Sequence, residues 1–322
     1  MGIPANRPFR VLVTAELAVD ASEVLGRGFE LIGGRKLTRT EIERSIGDVD
    51  GLICLLTDRI DEELLCSAPR LKVIANHAVG VDNVDLPAAT KRGIFVANTP
   101  DVLTEATADL AFALLLATAR RLGEGEALLR SGSWTGWEPT QLLGADVSGT
   151  TLGIVGLGRI GQAVARRARG FGMRILYSGP AKAVELDATH RPLELLLVES
   201  DFVSLHCPLR DDTRGLISAG RLALMKPTAI LVNTARGQLV DEEALALALE
   251  TGRLAAAGLD VFAHEPAVHP ALLRQNNAVL LPHIGSATHA ARRKMGELCL
   301  KAVAEVAVGQ MPTHLVNKDL RA

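Results

Sequence analysis

Short, almost uninterrupted apolar runs separated by helical patterns constrain this chain more than any other feature of its sequence. From Arg10 to about Thr99 they are VLVT at 11–14, GLICLL at 51–56, KVIAN at 72–76 and IFVAN at 94–98, with helix candidates at 40–46, 61–66 and 86–92 between them. A strand with one wet face alternates apolar and polar residues, whereas strands apolar on both faces belong to parallel sheets covered by helices. After Thr99-Pro100 comes TEATADLAFALLLATARRL, where Thr104 is placed to cap a helix, Glu105 and Asp109 lie near its positive end, and Arg120 and Arg121 near the other. A loop with SGSWTGWEP at 131–139 follows. Strand candidates then recur at 152–155, 173–178, 202–206, 229–233, 256–261 and 279–281. Six such strands match a doubly wound dinucleotide-binding sheet, so the expected class is α/β with two doubly wound parallel-sheet domains. The last helical stretch, 289 to about 308, is free to return and complete the first domain.

Size and composition agree with this. A chain of 322 residues is long enough for two cores, and 48% hydrophobic with 22% charged residues is the balance of a folded globular protein. Lys plus Arg number 35 against 37 Asp plus Glu, so no global positive field exists to draw nucleic acid or an anionic membrane; a small molecule is the expected ligand. The four cysteines (Cys54, Cys66, Cys207, Cys299) are scattered without a CxxC pair, which argues against a disulfide framework or a zinc site and suits the cytoplasm. Glu16 interrupts the only apolar run near the N-terminus, and Asn6 stands where a myristoylation motif needs Ser or Thr. The longest apolar stretch, 110–119, falls short of the ~20 residues that span a bilayer.

The stretch TLGIVGLGRIGQAVARRA supplies Gly156-x-Gly158-x-x-Gly161 between an apolar strand and a helical pattern. In that setting Gly156 permits a tight turn, Gly158 lets backbone approach a pyrophosphate, and Gly161 allows close helix–strand packing. The acid that would accept the adenosine ribose hydroxyl should end the next strand, yet that strand ends Tyr177-Ser178-Gly179-Pro180-Ala181-Lys182, with Glu185 the first acid. No carboxylate there repels a 2′-phosphate, and Ser178 and Lys182 are available to it, unless Lys182 is simply a solvated loop lysine. The cofactor is therefore NADP or NAD with a lean to NADP, and an Asp introduced at Gly179 should move preference toward NAD.

Arg236 in LVNTARGQLVDEEAL, Glu265 in GLDVFAHEP and His283 in LLPHIGSAT stand near the ends of successive strands, where an open parallel sheet presents its ligand crevice. Singly, each has an ordinary explanation: a surface charge, or a hydrogen-bonded strand-end histidine. Together with NHAVGVDNVD at 76–85 and GLGRIGQ at 156–162, these motifs resemble the D-isomer-specific 2-hydroxyacid dehydrogenase family over nearly the whole chain, and within it glyoxylate and hydroxypyruvate reductases.

The resemblance implies a flavodoxin-like substrate domain from 1–102 and 284–322 and a Rossmann-type cofactor domain, 103–283, inserted in it. It implies reduction of a small 2-oxo acid, with Arg236 forking onto carboxylate and carbonyl, His283 giving the proton, and Glu265 orienting the imidazole. Backbone N–H groups of Val79 and Gly80 would hold the substrate acid in a cleft between the domains. Cofactor contacts implied are Thr107, Gly156, Gly158, Arg159, Ile160 and Gly161 on the phosphate side, and Ser178, Gly179, Pro180 and Lys182 at the adenosine end. Cys207, Pro208, Thr234 and Ala235 would line the nicotinamide side, with Arg236, Asp260, His283 and Gly285 also touching the cofactor. Cys207 is then a packing residue, since no thiolate-stabilising partner is indicated. Trp137 is either a core residue or, as in those reductases, a substrate contact reaching across a homodimer. His77, His206, His264 and His289 fit structural or solvent-facing places, no metal site being implied. The alternatives are another branch of the family, such as a phosphoglycerate or formate dehydrogenase, and a non-catalytic dinucleotide-sensing binding protein, which fold alone does not exclude.

Overall fold

Every strand pair in the computed structural model is parallel, which apolar runs on both faces require. The structure describes residues 7–180 and 186–321. It divides into two compact units, Met1–Leu103 with Ser286–Ala322, and Thr104–Gly285.

The first unit carries β1 (Phe9–Val13), β2 (Phe29–Gly33), β3 (Gly51–Cys54), β4 (Val73–Asn76) and β5 (Phe95–Ala97) in the order β2-β1-β3-β4-β5. This is the flavodoxin-like winding. Its helices begin where the sequence offers a side-chain acceptor. Asp61 takes the N–H of Leu64, Asp85 that of Ala88, and Thr38 forms a capping box with Glu41. The helix His289–Ala307, capped by Thr288, lays Cys299, Leu300 and Val303 on the sheet face made by Val11, Ile53 and Val73.

The second unit carries β6 (Thr151–Val155), β7 (Arg174–Ser178), β8 (Ala188–His190), β9 (Phe202–Leu205), β10 (Ile230–Asn233), β11 (Ala256–Leu259) and β12 (Ala278–Leu280). The order β12-β11-β10-β9-β6-β7-β8 is the Rossmann winding with a further strand. Register decides where its loops emerge. Val155 pairs with Ser178 and Leu205, Leu205 with Asn233, Asn233 with Leu259, and Leu259 with Leu280, so six strands end level and their following loops leave at one edge. Both faces are filled: on β9, Phe202 joins one core layer while Val203 and Leu205 join the opposite one.

Two strands escape the sequence reading, which expects four and six where there are five and seven. Both are edge strands: Glu30 and Leu31 of β2 and Thr189 and His190 of β8 are exposed, so neither shows a continuous apolar run. Thr104 is also not a cap; it is the first residue of the helix Thr104–Ala119, which ends where Arg121 turns left-handed at φ 53° and pairs with Glu124. No helix among the described residues is long and apolar enough to cross a membrane.

Phe202 is 1% exposed at the centre of the second sheet. Its replacement by Ala should cost about 3–5 kcal/mol, read as a lower denaturant midpoint; a loss under about 1 kcal/mol would mean that the layer is not packed around it.

Candidate active site

The loops leaving β6, β10 and β11, and the one after β12, carry the polar residues singled out in the second unit. After β6, Gly156 adopts φ 94° and donates its N–H to Ser178 O, and a Cβ there would lie 2.6 Å from the Cys207 nitrogen. A Cβ on Gly161 would overlap the Gly156 carbonyl oxygen, whereas one on Gly158, at the N-cap of the helix Arg159–Gly170, would meet nothing within 4 Å. Two of the three glycines are thus demanded by the protein itself. The third keeps open space in front of a helix N-terminus, where a pyrophosphate fits. A Cβ on Gly285 would come within 3.2 Å of an Asp260 carboxylate oxygen and 3.4 Å of Thr107 Cγ2.

After β10, buried Asn233 closes the turn that presents Arg236: its carbonyl accepts from Ala235 N at 3.0 Å and its amide donates to Arg236 O at 2.8 Å. Arg236 is extended, and Gly237 lies so close to the Phe262–Ala263 backbone that any Cβ would overlap it. The Thr234 hydroxyl, buried beside this turn, has no hydrogen-bond partner among the described residues.

The central contact is 2.8 Å between His283 Nδ1 and Glu265 Oε2. Phe262 N donates to the other oxygen, Oε1, at 3.0 Å. Burial opposes ionisation of Glu265, but the His283 contact, the Phe262 N–H and the neighbouring Arg236 charge outweigh it and hold the carboxyl below its ordinary range. Glu265 is therefore a carboxylate at neutral pH, which makes Nδ1 the donor and leaves Nε2 for a reacting group.

His283 itself sits at φ 55°, a left-handed conformation costing a non-glycine residue roughly 1–2 kcal/mol. Asp260 holds it there. Its backbone oxygen takes His283 N at 2.9 Å, and its wholly buried carboxylate accepts from Ile284 N at 2.7 Å and Gly285 N at 2.8 Å. Burial raises the Asp260 pKa despite those two N–H donors. This clamping function was not legible in DVFAHEP, where Asp260 reads only as a cofactor contact; the sole signal was an acid in an otherwise apolar strand end.

Cys207 is pushed up to about 11 by burial, which agrees with packing rather than nucleophilic chemistry. His206, driven down to about 4 by burial, bonds Ser204 Oγ through Nε2 at 2.8 Å. Pro180 and Pro208 are exposed, Gly179 has φ 127°, and Lys182 lies outside the described residues. Trp137 is 80% exposed. Among the described residues no cluster of His, Cys, Asp and Glu is arranged to hold a metal ion.

In the first unit, the turn at 78–80 has all its carbonyls engaged: Ala78 O by Thr99 N, Val79 O by Asn98 Nδ2, and Gly80 O by Asn76 Nδ2, at 2.8–2.9 Å. In a trans peptide the N–H points opposite to the C=O, so the N–H groups of Val79, Gly80 and Val81 face the other way. Asn76, the last residue of β4, and Asn98, the residue after β5, set this, and the sequence shows them only as the last residues of KVIAN and IFVAN. His77 is buried, and burial drives its imidazole down to about 4.

Residues 112–285 match the family model of the D-isomer specific 2-hydroxyacid dehydrogenase NAD binding domain. The chain is 50% identical to a glyoxylate reductase of Thermococcus onnurineus, over 97% of this chain and 96% of that one. Among solved structures it resembles a protein of Thermus thermophilus with a TM-score of 0.91 and 50% identity, covering 95% of this chain and 99% of that one. It also resembles an NADPH-dependent glyoxylate/hydroxypyruvate reductase of Sinorhizobium meliloti, solved with NADP and malonate, with a TM-score of 0.87, 36% identity and 97% of each chain covered. With its paired Rossmann and flavodoxin-like windings and a match of this extent, the chain belongs to the D-isomer specific 2-hydroxyacid dehydrogenase family.

Proposed function

We propose that this enzyme reduces glyoxylate-type 2-oxo acids to 2-hydroxy acids at the expense of a nicotinamide dinucleotide. The observation that carries this is the 2.8 Å Glu265–His283 pair at the carboxyl edge of a Rossmann sheet, beside Arg236. The Gly156–Gly161 turn, with Thr107, Thr234 and Asp260, would hold the dinucleotide, which would supply the hydride. Arg236 binds the substrate carboxylate through its planar fork and polarises the carbonyl. His283 Nε2 gives a proton to the carbonyl oxygen as charge develops there, while the Glu265 carboxylate on Nδ1 fixes the ring and stabilises its positive charge. The glyoxylate reductase of Thermococcus onnurineus and the Sinorhizobium meliloti reductase support this substrate class.

The coenzyme is NADPH in preference to NADH, on the strength of Ser178-Gly179-Pro180 ending β7 without a carboxylate. The protein works as a homodimer in the cytoplasm. Support for self-association lies in the helix Leu122–Arg130, which has no buried residue, and in Leu122, Leu129, Trp134, Trp137 and Leu143, all exposed within one short segment.

His283→Asn should keep nicotinamide binding, followed by cofactor fluorescence, and lose turnover of glyoxylate by a factor on the order of 10²–10⁴. Wild-type turnover in that variant would place the proton donor elsewhere, and wild-type protein that binds a dinucleotide but reduces no 2-oxo acid would favour a sensor. Glu265→Gln removes the charge that stabilises the imidazolium, so reduction should fail first on the alkaline side; an unchanged pH profile would remove Glu265 from the mechanism. For the coenzyme, the Asp substitution belongs at Ser178. Gly179 has the φ of 127° that L side chains rarely adopt, so Asp there would strain the turn and confuse the result. Ser178→Asp should shift the kcat/KM ratio toward NADH, and a large NADH preference already in the wild type would contradict the assignment.

A further inference from the structure

The Glu265 loop is gripped from a direction that the reaction does not explain. One residue beyond Phe262, whose N–H binds Glu265, the Ala263 peptide groups are taken by two side chains of the segment after Arg236. Gln238 Nε2 donates to Ala263 O at 2.9 Å, and Ala263 N donates to Glu242 Oε1 at 2.7 Å. Gln238 lies in the short 3₁₀ turn Gly237–Leu239 that follows Arg236, and Glu242 is the first residue of the helix Glu242–Glu250, capped by Asp241. An N-terminal helical Glu is ordinarily explained by the helix dipole and faces water. This one instead spends a carboxylate oxygen on a backbone N–H twenty-one residues away.

We infer that Glu242 and Gln238 are positioning residues that clip the Phe262–Ala263 backbone between them and so hold the Glu265 carboxylate in line with His283 Nδ1. The inference rests on the reading of His283 as proton donor. The clip also joins two parts of the site. Gln238 and Glu242 follow the turn carrying Arg236, Ala263 precedes the loop carrying Glu265, and the absence of a Cβ at Gly237 lets the two backbones touch. A shift of one segment is therefore transmitted to the other, keeping the substrate-polarising cation and the proton donor's orienter in one frame. A misplacement of roughly 1 Å at Glu265 is enough to lengthen a 2.8 Å contact beyond useful hydrogen bonding.

Three variants of the full-length protein test this. Glu242→Ala removes the acceptor, Glu242→Gln keeps an acceptor oxygen without the charge, and Gln238→Met removes the donor at similar volume. Glu242→Ala should lower kcat about tenfold with KM for the nicotinamide within about twofold, and should bring the alkaline limb of kcat to lower pH; Glu242→Gln should recover most of the loss. The charged groups facing Glu265 and His283, namely Arg236 and Asp260, are the same in all three variants. A substrate-free readout accompanies the kinetics. The low-field proton resonance of His283 Nδ1–H, identified by its disappearance in His283→Asn, should broaden or move upfield in Glu242→Ala and in Gln238→Met and persist in Glu242→Gln. A folded Glu242→Ala protein with wild-type kcat, pH limb and resonance overturns the inference, as does a Glu242→Gln protein as impaired as the Ala variant. Should Glu242→Ala not fold, Gln238→Met decides by the same readings. Because the resonance needs no turnover, failure of the reductase reading shows separately, as wild-type protein with the resonance and no activity on 2-oxo acids.

Discussion

Parallel strands cannot be joined by a tight turn, and most of this structure follows from that constraint. Each strand must be followed by a crossover that carries the chain back, so helices cover both sheet faces and every central strand must be apolar on both sides. The same geometry sends all strand ends in one direction. With Val155, Ser178, Leu205, Asn233, Leu259 and Leu280 level across the second sheet, residues far apart in sequence emerge side by side. The level strand ends bring the loops that carry Arg236, Glu265 and His283 out at one edge.

What does need construction is the orientation of the histidine. Two carboxylates serve it with opposite electrostatics. Asp260 is wholly buried and pushed toward neutrality, and its oxygens are occupied by the N–H groups of Ile284 and Gly285. Glu265, only partly buried and beside Arg236, is kept ionised. Asp260 thus shapes backbone, holding a left-handed residue in place, while Glu265 acts on the ring.

How much of this was legible in the sequence varied with how local the cause is. The glycine turn and the apolar central strands depend on neighbouring residues, and they stand out in the sequence. β2 and β8 do not, because Glu30, Leu31, Thr189 and His190 face solvent and leave no apolar run, whereas the other edge strands, β5 and β12, keep one. Thr104 reads as a cap because its type permits it, yet the helix begins one residue earlier than that role allows. Arg236, Glu265 and His283 were recognisable through motifs. Glu242 and Gln238 were not, since a Glu opening a helix is the commonest of surface residues and its partner, a backbone amide at 263, leaves no trace in composition. Gly179 looked replaceable until its φ was known.

The turn at 78–80 has its carbonyls tied down by Thr99, Asn98 and Asn76, which turns each peptide N–H away from those partners. A surface of such groups is positive without bearing a formal charge. It has no proton to lose within the working range of the enzyme, and it attracts no tightly held counter-anion that a ligand would first have to displace. No substitution at Val79 other than proline deletes these donors, because they belong to the main chain. Main-chain N–H groups of this kind would grip a carboxylate equally in mildly acid and mildly alkaline solution, and a change in the neighbouring side chains would alter specificity without altering that grip.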